Sequence, residues 1–366
     1  MYLRKFWVSR ITVTAGVLLA VALSLSCAKW LSLGETTQPA KADDRKVSAE
    51  PAAQATFLAM GDIMLSRGVA KAIDSKGDPL APFLPLANVF EAADFSFANF
   101  ESPISGNDNV VGKGLVFNTR RKDIAGIKKY KFKIVSLANN HALDQGVKGL
   151  RFTREFMTEQ GVEFAGVGEN KEEAWKGKVI TEKGIRFGFI SVSYASINDG
   201  GVATNPYVAR IEETEYLKNS IADMKTKADI VVVSFHAGIE YKRNPHQPQI
   251  DFARRAIDYG ADVAIGAHPH WIQTIEQYRG KYIFYSLGNF IFDQRQPGTT
   301  EGLMLRFTAN RRAGGDPDGG RTFIDQIELM PVVIEGRSTP RIATKAEAIA
   351  ILQKINISDP ILKPGK

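Results

Sequence analysis

The sequence predicts an α/β fold in which a sheet, or a pair of sheets, is covered by helices. Short runs rich in Val, Ile, Phe or Ala alternate with stretches whose apolar residues recur near the helical period. Polar residues gather directly after several of those runs. Because layered domains bury alternating strands and amphipathic helices, this order is typical of an α/β protein. A content of 44% hydrophobic and 24% charged residues over 366 positions fits a large core and excludes bulk disorder.

The first segment, residues 1–27, has the layout of a bacterial signal peptide or membrane anchor. An apolar run over residues 11–26 follows a short stretch that contains Arg4, Lys5 and Arg10. Cleavage before Cys27 would leave a lipoprotein, cleavage after Ala28 would free the protein, and an uncut run would approach the roughly 20 residues that span a bilayer. All three alternatives predict a cell-envelope protein whose body lies outside the cytoplasm, and the first and third attach it to the membrane.

The net charge and the cysteine content exclude several classes of protein. No acidic residue precedes Glu35, so the export segment supplies much of the formal charge of +7. A nucleic-acid-binding protein would instead carry its basic residues in the folded part. The single cysteine, Cys27, excludes internal disulfides and zinc sites built on cysteine.

The remaining chain divides into a linker, a domain and a C-terminal segment. Residues 28–54 contain too few large apolar side chains to fold and are predicted to be a disordered linker. The domain is predicted over residues 55–336, and residues 337–366 are expected to form a helix near Lys345–Lys354 followed by a loose basic end.

Apolar runs place the strands of the domain, and periodic positions place two of its helices. Val147, Leu150 and Met157 share one helical face, as do Ile250, Ala253 and Ile257. The runs at 302–308 and 322–333 have no helix between them and are predicted to be antiparallel. The other predicted strands lie near residues 56–60, 94–98, 132–137, 162–165, 185–193, 229–235, 262–266 and 281–286.

Polar side chains follow these strands at the point where each ends. Because the carboxyl ends of strands in an open α/β sheet line one edge, where ligands bind, we expect these side chains to meet in one crevice. Four of the five histidines belong to this set. Its members are Asp62, Asn99, Glu101, Asn139, Asn140, His141, His236, His268 and His270.

The oxygen and nitrogen donors in this set favour divalent Mn, Fe or Zn. The predicted ligands are Asp62, Glu101, Asn140, His236, His268 and His270. Two ions about 3.5–4 Å apart, bridged by Glu101, would clamp a phosphoryl oxygen and activate a water. His141 is the predicted catalytic residue, placed to protonate a leaving group.

Simpler interpretations exist for each part of the set. Gly61-Asp62 is a common turn, and Asn139-Asn140-His141 could cap the helix that follows. His268 and His270, which flank one residue after a buried strand, have little packing purpose and are the strongest element. His246 is interpreted as a surface-loop residue near the mouth of the crevice and not as a ligand.

Six segments, taken in order, resemble the motifs of the capsule-synthesis CapA family. They are Ala59–Arg67, Ala98–Pro103, Ser136–Asp144, Ser234–Tyr241, Gly260–His270 and Tyr285–Phe292, and the resemblance extends from about Thr56 to Ile334. It implies a membrane-attached bacterial surface protein of poly-gamma-glutamate capsule synthesis. It also implies a fold similar to calcineurin-like metallophosphatases, a four-layer α/β sandwich around two metal ions. Such phosphatases usually open with Asp-x-His, whereas Met64 stands in the place of that histidine here, two residues after Asp62.

Two classes of function remain open. The first is a metal-dependent hydrolase or transferase that acts on a polyanionic polymer, or on a small phosphorylated or amide substrate, at the cell surface. The second is a non-catalytic subunit that binds polymer or joins capsule synthase subunits in a membrane complex. Because buried polar clusters without a use cost stability, the ligand set favours the first class.

Overall fold

The computed structural model describes residues 52–112, 114–194, 205–312 and 321–365. The predicted export segment and most of the predicted linker, residues 1–51, lie outside the described residues. The strands, in chain order, are β1 (Ala53–Ile63), β2 (Phe95–Phe100), β3 (Phe132–Ser136), β4 (Glu163–Ala165), β5 (Lys178–Glu182), β6 (Ile185–Ser193), β7 (Ile230–His236), β8 (Val263–Ala267), β9 (Ile275–Tyr278), β10 (Lys281–Phe284), β11 (Asn289–Ile291), β12 (Glu301–Arg311), β13 (Thr322–Glu335), β14 (Thr339–Ile342) and β15 (Ile361–Leu362).

The α-helices connect or cover these strands. In chain order they are α1 (Arg67–Lys76), α2 (Ala87–Glu91), α3 (Ala125–Lys129), α4 (Gly146–Glu159), α5 (Lys171–Trp175), α6 (Thr214–Lys227), α7 (Gln247–Asp258) and α8 (Lys345–Gln353). Short 3-10 helices lie at Leu84–Leu86 and Arg121–Ile124. Among the described helices, none combines the length and the hydropathy needed to cross a bilayer.

The strands form two mixed sheets. The larger sheet has the order β14-β13-β12-β1-β2-β3-β4, with β11 paired to β1 and β15 paired to β13. Its strands β1 to β4 are parallel, whereas β12, β13 and β14 are antiparallel to their neighbours. The smaller sheet has the order β5-β6-β7-β8-β10-β9, and its four central strands are parallel. The mixed sheets confirm the predicted α/β class and the predicted antiparallel late section.

Three apolar clusters show how the layers stack. Side chains of α1 to α4 pack on the outer face of the larger sheet, and side chains of α5 to α7 pack on the outer face of the smaller sheet. Phenylalanines fill the space between the sheets; Phe57 stacks on Phe307 at 4.4 Å and meets Phe187 edge-on at 5.4 Å. The order of layers is therefore helices, sheet, sheet, helices.

Strand β1 contributes side chains to the apolar clusters on both faces of the larger sheet. Phe57 and Ala59 point toward the smaller sheet, whereas Leu58 and Met60 point toward the helices. This alternation follows from the two-residue period of a strand. A strand buried on both faces reads as a continuous apolar run, which is why its position could be predicted.

The C-terminal segment differs in part from the prediction. Helix α8 lies where it was predicted, and the paired Thr344 and Glu347 side chains cap its N-terminus. The prediction of a loose C-terminal end is wrong at Ile361–Leu362. These two residues pair with β13, and Leu362 is buried in the cluster between the sheets. Two apolar residues that pair with a strand edge whose backbone groups are free gain both hydrogen bonds and burial. A local sequence pattern does not reveal where such an edge lies.

Candidate metal centre

The carboxyl ends of parallel strands from both sheets meet at one edge of the molecule. Strands β1, β2 and β3 of the larger sheet end there, as do β7 and β8 of the smaller sheet. The structure brings all seven predicted site residues to this edge, and each is at most 5% exposed. They are Asp62, Glu101, Asn140, His141, His236, His268 and His270.

A β-bulge positions Asp62. The pairing of β1 with β2 shifts register between Met60 and Asp62, so Gly61 is the extra residue. A Cβ at Gly61 would lie 1.8 Å from the carbonyl oxygen of Gly288, so only glycine permits this approach. The Asp62 amide donates to the same Gly288 oxygen at 3.1 Å, which fixes the backbone from which the carboxylate projects.

Asp62, Glu101 and His236 form the centre of the cluster. One ligand atom from each lies within 4.8 Å of the others. The Asn99 amide nitrogen donates to Asp62 Oδ1 at 2.7 Å and lies 3.1 Å from His236 Nδ1. Asn99 therefore holds a carboxylate of the larger sheet against an imidazole of the smaller sheet.

The Glu101 carboxylate is fully buried. Among the described residues, no group donates a hydrogen bond to either of its oxygens. The nearest imidazole nitrogens, His141 Nε2 and His236 Nε2, are 3.7 and 3.8 Å from Oε1. Burial, and then the neighbouring Asp62 carboxylate, raise the pKa of Glu101 well above its usual range. A buried carboxylate of this kind needs either a proton or a cation.

His236 and Asn140 lie on the same side of the cluster as Glu101. His236 Nε2 is 2.7 Å from Asn140 Oδ1, and the His268 ring centroid is 4.7 Å from that of His236. Burial lowers the pKa of His236 and of His268 well below the usual value, and the neighbouring histidines lower both further. Both rings are therefore neutral, which is the form of histidine that binds metal ions.

His268 and His270 face Asp62 from the loop after β8. The His268 amide donates to Asp62 Oδ2 at 3.3 Å, and His270 Nδ1 lies 3.4 Å from the same oxygen. His270 Nδ1 also lies 2.9 Å from Asn289 Oδ1. In the described part of the chain, His268 Nδ1 has no hydrogen-bond partner although it is buried.

The backbone of this loop is strained. His268 and His270 have φ values of 101° and 57°, in the left-handed region that favours glycine. Each such residue costs about 1–3 kcal/mol, and strain of this kind clusters at functional sites. The strand before the loop is also held closely, because a Cβ at Gly266 would lie 2.1 Å from the Tyr285 carbonyl oxygen.

His141 lies on the Glu101 side of the centre and is oriented by its neighbours. Its Nδ1 is 2.7 Å from Asp144 Oδ2, and its ring stacks on Phe117 with centroids 3.9 Å apart. The Phe117 amide donates to Asp144 Oδ2 at 2.6 Å. This arrangement leaves Nε2 directed at the Glu101 carboxylate.

The donor set fits divalent metal ions. It combines carboxylate oxygens, an amide oxygen and neutral imidazoles, which suit Mn, Fe or Zn. The Glu101 oxygens and His268 Nδ1 are buried and have no hydrogen-bond partner among the described residues. A bound ion would use these atoms as ligands and so satisfy them. The buried cluster of Asp62, Glu101 and His236 can therefore hold a divalent ion. The individual ligand assignments and the number of ions stay predictions.

Met64 and His246 lie outside the donor set. The Met64 sulfur accepts a hydrogen bond from the Ser66 amide at 3.1 Å, so it serves the turn before α1. His246 is a partly buried N-cap of α7, with Nδ1 3.0 Å from Gln249 Oε1, rather than a plain surface-loop residue.

Four residues at or near the site were not assigned a role from the sequence. Asn99 and Asn289 each lie within a motif of the resemblance, and Asp144 stands one helical turn after His141, a spacing that could have indicated the pair. Arg67 ends the first motif. Its guanidinium carbon lies 4.5 Å from the centroid of the Phe117 ring, which a linear sequence does not reveal.

The described part of the chain has a layered α/β fold of the metallophosphatase-like kind. The chain superposes on the crystal structure of a Staphylococcus aureus protein assigned as a 5′-nucleotidase, with a TM-score of 0.50 and 15% identity. The match covers 82% of this chain and 58% of that chain. At this level of identity the likeness shows the fold.

Sequence comparison gives the family. Residues 56–294 match the family described as bacterial capsule synthesis protein. The chain is 32% identical over 281 residues to the PGA biosynthesis protein CapA of Bacillus subtilis, covering 75% of this chain and 73% of that protein. It is 28% identical over 322 residues to the capsule biosynthesis protein CapA of Bacillus anthracis, covering 86% and 74%. The chain belongs to the bacterial capsule synthesis protein family, which confirms the resemblance found in the motifs.

Proposed function

We propose that this chain is a cell-envelope protein of capsule synthesis whose buried cluster is a metal-dependent hydrolase site. The substrate is a polyanionic polymer, such as poly-gamma-glutamate, or a small phosphorylated or amide compound. The observation that carries the proposal is Glu101, a fully buried carboxylate to which no described group donates a hydrogen bond. Such a group is costly in a structural core and useful beside a cation.

Six residues would hold the ions: Asp62, Glu101, Asn140, His236, His268 and His270. Glu101 would bridge two ions, since its carboxylate lies close to both Asp62 and His236. Bound ions would polarise a phosphoryl or carbonyl oxygen and supply hydroxide near neutral pH. His141 donates a proton to the leaving group through Nε2, while Asp144 fixes the ring through Nδ1.

The relatives and the N-terminal sequence support a location and a class of partner. The Bacillus relatives are named for capsule or PGA biosynthesis, which supports a cell-envelope location and capsule synthase partners. Residues 1–27 would attach the chain to the membrane, either through lipid on Cys27 or as an uncleaved helix.

A second candidate function is that of a non-catalytic assembly subunit. A Mycobacterium tuberculosis relative, 24% identical over 322 residues, is named as a probable polyglutamine synthesis accessory protein. Capsule production by cells that carry Asp62→Ala together with His141→Ala distinguishes the two. A full capsule from this double variant would support the assembly function, and its loss with normal protein levels would support chemistry at the site.

Metal content tests the proposed site without knowledge of the substrate. The purified chain, reconstituted with manganese, iron or zinc, should retain metal after dialysis. Glu101→Gln and His268→Ala should each lower metal affinity by more than about 10–100-fold, because loss of a ligand exceeds the cost of losing an outer hydrogen bond. Elemental analysis and calorimetric titration measure the change.

His246→Ser is the matched control, since it removes a nearby histidine but keeps a residue that caps α7. This variant should bind metal as the parent does. A parent chain that retains no metal after reconstitution, or an equal loss in the control, would refute the proposed site.

A further inference from the structure

Arg67 contacts two aromatic rings that pack against site histidines, and it takes no part in the proposed chemistry. It begins α1, five residues after Asp62 along the chain. Its φ is 46°, so the chain adopts a strained conformation at this position, as it does at His268 and His270. A non-glycine residue held in this region is a reason to look for a function of its side chain.

Aromatic rings place the Arg67 guanidinium between two site histidines. Its central carbon lies 4.5 Å from the Phe117 ring centroid and 5.7 Å from that of Phe292. Phe117 stacks on His141, and Phe292 meets His270 edge-on at 4.8 Å. The cation is therefore one ring away from the predicted proton donor and one ring away from a predicted metal ligand.

The guanidinium is held firmly, and part of its donor capacity remains free. Its Nη2 forms an ion pair with Asp293, and its Nη1 donates to the Gly114 carbonyl oxygen at 2.9 Å. The Arg67 side chain is 15% exposed, and its Nε is buried with no hydrogen-bond partner among the described residues. An arginine has five N–H donors in a rigid fork, so a fixed guanidinium with unused donors is preorganised for an oxyanion.

We infer that Arg67 binds an oxyanionic group of the substrate, a phosphoryl or a carboxylate group, next to the metal centre. The inference rests on the proposed function for the place of the substrate. Asp293 is then a positioning residue: it holds the guanidinium through Oδ1 and receives the Gly68 amide on Oδ2 at 2.9 Å. Charge-assisted bonds from a planar fork match both kinds of oxyanion.

Calorimetric titration of the metal-loaded full chain in detergent tests this inference. The probes are orthophosphate and gamma-glutamyl-glutamate, which stand for the two sources of the oxyanion. Arg67→Met should weaken binding of one or both probes about 10- to 100-fold while metal content is unchanged. Arg67→Lys, which keeps the charge but loses the fork, should fall between the parent and Arg67→Met.

Two further variants separate substrate binding from a structural role. Arg254 is the matched control: its guanidinium lies 5.3 Å from the Tyr278 ring centroid and pairs with Glu276, away from the site, so Arg254→Met should bind the probes as the parent does. Asp293→Asn keeps the guanidinium but loosens its orientation, so probe affinity should fall by less than it does in Arg67→Met. If Arg67 were only a structural tie, Asp293→Asn would lose as much affinity as Arg67→Met.

The results distinguish failure of this inference from failure of the proposed function. Probe binding that depends on Arg67 in a chain that hydrolyses nothing would support the inference and count against the hydrolase. Normal hydrolysis with equal probe affinity in the parent, Arg67→Met and Arg67→Lys would overturn the inference alone. A metal-loaded parent that binds neither probe would also overturn it. Should Arg67→Met fail to fold, Arg67→Lys and Asp293→Asn still decide between the two roles.

Discussion

Burial sets the protonation of the side chains in the metal centre. It raises the pKa of Glu101 and lowers the pKa of His236 and His268, so all three favour their neutral forms in the protein alone. A divalent ion favours the ionised carboxylate and needs unprotonated imidazoles. The lowered pKa values of the two histidines match the state that a metal ion requires, whereas a bound cation would oppose the raised pKa of Glu101.

His141→Ala should lower turnover by about 10²–10⁴-fold with little change in metal content, because its side chain is predicted to act on the leaving group. The loss should depend on the substrate. A 4-nitrophenyl ester releases a stable anion that needs no proton, so its hydrolysis should fall far less than that of an alkyl ester. Steady-state rates on both esters, with elemental analysis of the same samples, measure the effect.

Asp144→Asn tests the neighbour that orients the ring. It should also reduce turnover of the alkyl ester, because Nδ1 of His141 loses its carboxylate partner. An equal loss on both esters, or loss of metal in His141→Ala, would contradict a role in leaving-group protonation.

At the level of elements, the predictable parts are those with a strong local pattern. Strands β1, β7 and β8 each contain a continuous apolar run, and α4 and α7 carry one apolar face, so each could be located from the sequence. Strands β5, β9, β11, β14 and β15 escaped prediction because they are short, and β11 and β15 also depend on pairing with strands distant in the sequence, β1 and β13. The same reason applies to the site: Asp62 and Glu101 follow apolar strands directly, whereas Asn289 reaches Asp62 only through the pairing of β11 with β1.

Gly61→Ala should disrupt the bulge in β1 that aims Asp62 at the centre. The new methyl group would lie 1.8 Å from the Gly288 carbonyl oxygen, so the β1–β11 contact must open. We expect a loss of at least about 2 kcal/mol in the free energy of unfolding, together with weaker metal binding. Urea denaturation and metal titration measure the two effects.

Gly112→Ala is the control for this substitution. A Cβ at Gly112 meets no described atom within 4 Å, so the free energy of unfolding should change by less than about 0.5 kcal/mol. A Gly61→Ala protein as stable as the Gly112→Ala protein, with parental metal affinity, would show that the bulge does not need glycine.

At the scale of the whole molecule, the metal centre and the start of the domain lie at opposite ends of β1. Asp62 is near the carboxyl end of this strand and Ala53 begins it, which separates them by about 30 Å at the usual rise of a strand. The chain that leads to the N-terminal segment therefore joins the domain far from the site.

Cys27→Ala tests how the chain is attached. If lipid on this cysteine is the anchor, most of the protein should move from the membrane fraction to the soluble fraction, because a single hydrophobic signal is then lost. Ser26→Ala is the matched control, since it changes the neighbouring residue and keeps the thiol. Mass spectrometry of the N-terminus gives an independent result. A lipid-modified Cys27 in the parent supports the lipoprotein. An uncleaved helix is indicated if both variants keep residues 1–27 intact and their fractionation is unchanged. A parent protein found in the medium with an N-terminus after Ala28 would count against both anchors and support secretion.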